Sequence, residues 1–224
     1  MCIRECVKRN CKSVNFNKEK LQCDLMSTND GCPQNGDIFQ ADPDYIFVNV
    51  SDSENIEKIF QRRMNGLTDF YRNWEDYKYG FGNPIDESWL GNMYLYQLTK
   101  NRCCQLRIEL VNWDNIAGYA LYENFSITDE NDGYRLRIGT YSGNAGQDSL
   151  KYHNGMKFTT LDRDNDNRSL NCAVKWKGAW WYNSCHHSHL NGDYSIRTDS
   201  AGLGWNGYPS SDYMKETTMK LKCG

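Results

Sequence analysis

The chain has no apolar run approaching the ~20 residues that span a bilayer, no block of Lys and Arg, no internal repeat and no low-complexity tract. Each absence removes a class of protein. Without the apolar run there is no transmembrane helix to assign. A formal net charge of -3 without basic clusters leaves no electrostatic footprint for nucleic acid or an anionic membrane. The opening "MCIRECVKRNC" lacks the apolar centre of a signal peptide, so the sequence reads as a fragment.

What is present points outside the cell. The 224 residues suit one or two domains, and 39% hydrophobic with 13% aromatic residues is enough apolar material for a packed core. Ten cysteines, most of them outside CxxC pairs, fit disulfides better than zinc, and disulfides persist in oxidising compartments. Sequons at Asn49, Asn124 and Asn167 agree with a secreted glycoprotein.

The cysteines also divide the chain. Cys2, Cys6, Cys11, Cys23 and Cys32 crowd a first segment, residues 1–48, which is richer in Lys and holds no Trp. There Cys2 and Cys6 share a helical face, and "KSVNFNKEKLQCDL" places Val14, Phe16 and Leu21 around a polar "NKEK" turn, as in a hairpin. The turn-rich stretch "DPD…SDSEN" leads into a linker at 49–55. The second domain, 56–224, opens with "TDFYRNWEDYKYGFG": Phe70, Trp74, Tyr77 and Phe81 form one helical stripe, with Thr68 or Asp69 as cap and Gly80 or Gly82 as stop. "QLRIELVNW" sets Leu106, Ile108 and Leu110 against Arg107 and Glu109, and "YRLRIGTY" repeats the alternation with Leu136 and Ile138, so two neighbouring antiparallel strands are expected. Beyond Tyr141 the chain reads as loop until "TTMKLK" supplies a last strand. Loops of such length are functional or held by ions and disulfides.

The chemistry gathers in "TTLDRDNDNRSLNC". Asp162, Asp164 and Asp166 at alternate positions repel one another, and a cation or full hydration relieves that repulsion. An EF-hand requires Gly sixth and Glu twelfth; counted from Asp162 these are Asn167 and Ala173, so the EF-hand reading fails. A smaller all-oxygen cage remains, of two carboxylates and backbone carbonyls, which suits calcium; a hydrated surface turn is the alternative. His186, His187 and His189 invite a zinc reading, but only His186 and His189 share helical spacing and no partner thiolate or carboxylate is evident nearby. A Cys185–His186 nucleophile is disfavoured because an extracellular cysteine in a rich set is oxidised. Trp180, Trp181 and Tyr182 could form a sugar-stacking platform, although such a cluster more often belongs to a core. No nucleophile, base and oxyanion arrangement can be assembled, which argues against an enzyme.

"DFYRNWEDYKYGFGN", "SWLGN", "YHNGMKFTTLDRDNDN", "NCAVKWKGAWWYNSCHHSHLNG" and "ETTMKLK", in this order, resemble the fibrinogen C-terminal domain of ficolins, tachylectins, angiopoietins and tenascins, over roughly 59–223. The resemblance implies an α+β fold: a twisted, mainly antiparallel sheet, short helices, and long loops held by calcium and disulfides, without enzymatic activity. It implies that Asp164 and Asp166 supply side-chain calcium ligands and that Arg168 and Leu170 supply carbonyls, Leu170 standing where a small residue is usual. It pairs Cys172 with Cys185 and makes the Cys185 peptide and His186 one wall of a pocket for acetyl groups. Trp176 would form the floor, and Asp199 with Ser200 stand where the family has an aromatic, which makes the pocket more polar. The implied function is a secreted, calcium-dependent recognition protein for acetylated glycans, with a matrix or receptor-binding role through the same face as the alternative, and a homo-oligomer as the assembly. "CIRECVKRNCKSVNFNKEKLQCDL" resembles the later half of a PAN or apple module, a disulfide-stapled helix and hairpin, which implies Cys2–Cys23 and Cys6–Cys11 bridges. Both modules lack the front of their family pattern, which would leave strand edges unpaired. Cys32, Cys103, Cys104 and Cys223 stay unassigned; strain argues against a Cys103–Cys104 bond.

Overall fold

A computed structural model of the chain describes residues 57–197 and 200–224, together with two strands of the first segment. The chain divides into two units, Met1–Glu54 and Asn55–Gly224. In the first, β1 (Ser13–Asn17) pairs antiparallel with β2 (Gln22–Met26), with Val14 opposite Leu25 and Phe16 opposite Cys23, which is the hairpin expected around "NKEK". The rest of the PAN-like reading, including the Cys2–Cys23 and Cys6–Cys11 bridges, Cys32 and Asn49, lies outside the described residues.

The second unit is built on β3 (Lys58–Arg63), α1 (Trp74–Tyr79), β4 (Phe81–Gly82), β5 (Ser88–Trp89), α2 (Asn92–Thr99), β6 (Cys104–Asn112) and β7 (Ala117–Tyr122). After these come β8 (Ser126–Ile127), β9 (Leu136–Arg137), β10 (Tyr141–Gly143), α3 (Cys172–Trp176), β11 (Ser188–His189), β12 (Gly204–Trp205) and β13 (Met214–Cys223). Seven strands form one antiparallel sheet in the order β10-β7-β6-β13-β3-β5-β4. The alternation read in "QLRIELVNW" is the pleat of β6: Leu106, Ile108 and Leu110 are buried and the residues between them half-buried. The last strand, β13, lies between β6 and β3, and the Cys104–Cys223 bond, 119 residues apart in sequence, joins β6 to β13. Cys103 beside it is exposed and unpaired.

Two expectations from the sequence need correction. The helix starts at Trp74 rather than at Thr68 or Asp69, capped by Asn73, whose Oδ1 accepts the Asp76 N–H at 2.9 Å. Thr68 and Asp69 are committed elsewhere: the Thr68 N–H goes to Glu87 Oε2, and Asp69 Oδ1 closes a turn on the Tyr71 N–H. Phe70, Trp74, Tyr77 and Phe81 are nonetheless all buried, and Gly80 ends the helix at φ 93°. Nor is "YRLRIGTY" a neighbour of β6. Its strand is only Leu136–Arg137, paired with β8, because the Leu136 N–H and C=O are bonded to Met156 and Gly155 and the Ile138 N–H to Asn154 Oδ1. The neighbours of β6 are β7 and β13.

The core is largely aromatic. Trp89, Trp180, Trp181, Trp205 and Phe158 are buried; Trp181 Nε1 donates to the Tyr134 carbonyl and Trp89 Nε1 to that of Tyr77. Trp180, Trp181 and Tyr182 each have 0% exposure, so this cluster is core and not a surface platform.

Within that core Glu87 has 0% exposure, and its Oε1 accepts the N–H groups of Met64, Asn65 and Gly66 at 2.8–3.1 Å while Oε2 accepts that of Thr68 at 3.0 Å. Arg63, also buried, places Nε 3.6 Å from Oε1. Burial alone raises a carboxyl pKa; the Thr68, Met64 and Gly66 N–H groups and the Arg63 charge outweigh it, and Glu87 sits below its usual value. A depressed pKa means that this contribution is present above the unfolded value and fades as pH falls through the lower folded one. Replacing Glu87 by Leu leaves a buried guanidinium unpaired and should cost about 3–5 kcal/mol in denaturant unfolding. A loss below about 1 kcal/mol, the size of an ordinary single substitution, would contradict the role given to the pair.

Candidate functional site

The acidic turn separates its three aspartates. Asp162 anchors the loop to α1: its Oδ1 accepts the Trp74 N–H at 2.9 Å and the Thr160 hydroxyl at 2.7 Å. Asp164 and Asp166 stay together, the Asp166 N–H donating to Asp164 Oδ1 at 3.2 Å. Asp166 then ties down the 168–172 backbone, Oδ1 accepting the Arg168 N–H and Oδ2 the Cys172 N–H, both at 2.8 Å. Burial pushes the Asp166 carboxyl above the usual range; those two N–H groups pull it back and the Asp164 charge adds to the rise. Among the described residues no cationic side chain pairs with either carboxylate, for the Arg168 guanidinium is directed to Cys185 Sγ at 3.7 Å. The carbonyls of Arg168 and Leu170 accept no hydrogen bond among the described residues. Two close carboxylates without a cation, next to unspent carbonyls, form a donor set of oxygen alone, which suits a hard cation.

The next element carries the turn to Trp176 and, through a disulfide, to His186. Asn171 caps α3, its Oδ1 accepting from Ala173 and Val174 while its Nδ2 donates to the Thr160 carbonyl. Cys172, the first residue of α3, is bonded to Cys185, and the Ser184–Cys185 peptide is cis. The His186 ring stands edge-on to Trp176 with centroids 5.4 Å apart, and the Ser200 backbone faces His186 and His189. Trp176, Cys185, His186 and Ser200 are therefore one site, and Asp199 lies outside the described residues.

This site has unspent polar atoms. His186 Nε2, Trp176 Nε1 and His189 Nδ1 are buried without a hydrogen-bond partner, which is costly unless something enters to satisfy them. Burial pushes His186 down to about 4 against a weaker pull from the Ser200 backbone, so the ring is neutral at pH 7. Burial lowers His189 further, and its Nε2 lies 2.6 Å from the Tyr182 hydroxyl. His187 points elsewhere, exposed and stacked on Tyr152 at 3.9 Å. The three-histidine zinc reading does not assemble: among the described residues no group of three or more His, Cys, Asp or Glu could hold a metal ion.

One supporting residue escaped the sequence reading. His153 has 0% exposure; its Nδ1 meets the Trp181 carbonyl at 2.7 Å, and its Nε2 accepts the N–H groups of His187 and Ser188, both at 3.1 Å. It holds the strand leaving His186. The only signal was its place in "YHNGMKF", where nothing local marks a His that reaches across the fold. Of the sequons, Asn124 is exposed on a turn, whereas the Asn167 amide nitrogen already donates to Asn183 Oδ1 at 2.9 Å.

The buried neutral histidines give a pH dependence of definite sign. Burial lowers His153 to about 3 and His186 to about 4, so the unfolded chain binds more protons than the folded one once pH drops below the ordinary histidine value of about 6.5. Stability should therefore fall from pH 7 to pH 5, each fully buried ring contributing up to about 1.4 kcal/mol per pH unit below 6.5. Urea midpoints that do not move between those pH values would remove the neutral-ring assignment.

Comparison with known proteins places the chain in a clear neighbourhood. The family described as "Fibrinogen beta and gamma chains, C-terminal globular domain" matches residues 35–224. Tenascin-R of Gallus gallus is 46% identical over 171 residues, covering 76% of this chain and 12% of that protein. Ryncolin-4 of Cerberus rynchops is 44% identical over 184 residues, 79% of this chain and 52% of that protein, so the chain spans only part of these relatives. Among solved structures, the fibrinogen-like globe domain of human ANGPTL2 superposes with a TM-score of 0.71 at 32% identity, covering 98% of this chain and 96% of that one. Lamprey fibrin D-dimer complexed with the peptide Gly-His-Arg-Pro-amide gives a TM-score of 0.69 at 34% identity, over 79% and 63%.

Proposed function

The chain belongs to the family of fibrinogen C-terminal globular domains, and from that premise we propose that it is a secreted recognition module that binds an extracellular ligand in a calcium-dependent manner, without chemical turnover. No helix among the described residues is long and apolar enough to cross a membrane. The first segment serves as a PAN-like disulfide module, and Asn124 is the glycan acceptor of the second unit. The ligand we favour is an acetylated glycan.

One observation carries this reading: a continuous link from the acidic turn to the pocket. The Asp166 carboxylate holds the Cys172 N–H, Cys172 is bonded to Cys185, and Cys185 precedes His186, whose Nε2 is buried and unpaired. Asp164, Asp166 and the carbonyls of Arg168 and Leu170 would hold calcium, which supplies the positive charge that two adjacent carboxylates lack. Asp166 then stays ionised and keeps both N–H groups, and the 13-residue separation of the Cys172–Cys185 bridge transmits that order to His186. His186 and Trp176 offer their ring N–H groups to an acetyl carbonyl, with Trp176 as the apolar wall for its methyl group.

The alternative ligand is a protein, and a specific feature favours it: Leu170 and Val174, beside the acidic turn, are 63% and 50% exposed. The two ligands differ in what competes. Wild-type protein should be retained on an acetylated resin in calcium and released both by chelator and by free N-acetylglucosamine. A folded protein that passes through would move the assignment to a protein ligand. Separately, Asp164→Ala and Asp166→Ala should each lower Tm in calcium, with chelator bringing wild type down towards them. Variants that melt like wild type, with and without chelator, would remove calcium from this turn.

A further inference from the structure

A cavity of about 510 Å³ lies between the turn at 65–71, the segment 192–195 and Lys177. This falls within the range of about 300–1,000 Å³ usual for small-molecule sites. Its wall is built in advance. The turn is pinned from behind by Glu87 through four N–H bonds, and from the front by the Tyr194 hydroxyl, which donates to the Met64 carbonyl at 2.8 Å. Gly66, at φ 74°, lies so close to the Tyr194 ring that a Cβ there would stand 2.6 Å from it. Little ordering therefore remains for a ligand to impose.

The lining presents unused hydrogen-bonding capacity of both kinds. Asp69 spends Oδ1 on the Tyr71 N–H, and Asp193 spends Oδ1 on the N–H and hydroxyl of Ser195. Among the described residues the second oxygen of each carboxylate takes no hydrogen bond and neither residue forms an ion pair. Lys177, held in the left-handed cap position of α3 at φ 49°, brings an ammonium donor to the rim and likewise has no partner among the described residues. Tyr71 is 36% exposed in the lining, and Tyr194, also in the lining, meets the half-buried Trp113 with ring centroids 5.7 Å apart. The net charge is small: Arg63 is paired with Glu87, which leaves the Lys177 ammonium and the Asp69 and Asp193 carboxylates, unpaired with one another, at the lining. A polyanion or a polycation gains little from such a lining. Planar acceptors, one donor and an aromatic face instead suit a ligand with many hydroxyl groups and an apolar C–H face.

We propose that this cavity is a second, calcium-independent binding site for an uncharged pyranose unit of a glycan, stacked on Tyr71 and hydrogen-bonded by Asp69, Asp193 and Lys177. It requires neither the acidic turn nor His186, so it stands or falls independently of the calcium-dependent site.

The test is a ligand-observed NMR titration of the whole chain with the methyl pyranosides of glucose, galactose and mannose, in chelator. At least one sugar should bind with a millimolar Kd. Tyr71→Ala should weaken it ten-fold or more while Tyr71→Phe retains it, and Lys177→Gly, which suits the left-handed position, should weaken it several-fold. Equal Tm values for the three variants and wild type exclude unfolding as the cause. Absence of binding by all three sugars, binding that disappears in chelator, or a Tyr71→Ala protein that binds like wild type would each overturn the proposal.

Discussion

The carboxylate of Glu87 fixes more of this domain than its single charge suggests. It caps the whole 64–68 turn through backbone N–H groups and faces Arg63 at the end of β3. Arg63 in turn donates to the Gly192 and Leu190 carbonyls at 2.8 and 3.4 Å. One buried pair thus joins β3 and the residue before β5 to the segment beyond His189, and the cavity at 65–71 has a wall that depends on it. Burying an ion pair is rarely a net gain in stability over apolar packing. What it contributes here is position: a carboxylate with four N–H donors admits one arrangement of the turn, where apolar side chains would admit several.

The same logic, with the sign reversed, governs the acidic turn. There two carboxylates are brought together without a cationic side chain, and the burial of Asp166 makes its ionised form costly. Glu87 has its counter-charge built into the chain, whereas Asp164 and Asp166 leave theirs to be supplied. If calcium is what supplies that charge, the ion also keeps Asp166 ionised and its two N–H bonds in place. On the proposed reading, this is why the Cys172–Cys185 bridge matters: it couples the ordering of one turn to the peptide that carries His186.

Legibility in the sequence followed the range of the interaction. The pleat of β6 could be read because Leu106, Ile108 and Leu110 alternate within one segment, and the hairpin of the first unit because its turn is local. The order of the sheet could not, since β13 reaches its neighbours across more than a hundred residues and "YRLRIGTY" carries the right alternation but bonds to the 153–156 turn instead. The helix cap was misplaced for a related reason: Thr68 and Asp69 are good capping residues, but tertiary contacts claimed them first. Among the candidate site residues, the proximity of Trp176 to His186 and of Asp164 to Asp166 could be expected because their motif is contiguous. His153 could not, because its work is done on residues more than thirty positions away.

These differences bear on how recognition can vary in such a fold. The Glu87–Arg63 pair tolerates little change, since removing Glu87 would strand four backbone N–H groups and the Arg63 guanidinium in the interior. The groups that would face ligand on the proposed readings are of another kind: His186 and Trp176 hold unpaired nitrogens, and Asp69 and Asp193 keep a spare oxygen after closing their own turns. Altering His186 or Trp176 changes what the unpaired ring nitrogens can meet, whereas Asp69 and Asp193 also close turns on Tyr71 and Ser195. On the proposed readings specificity can therefore vary through exposed or unpaired side chains, while the Cys172–Cys185 bond and the buried Glu87 carboxylate hold the backbone that carries them.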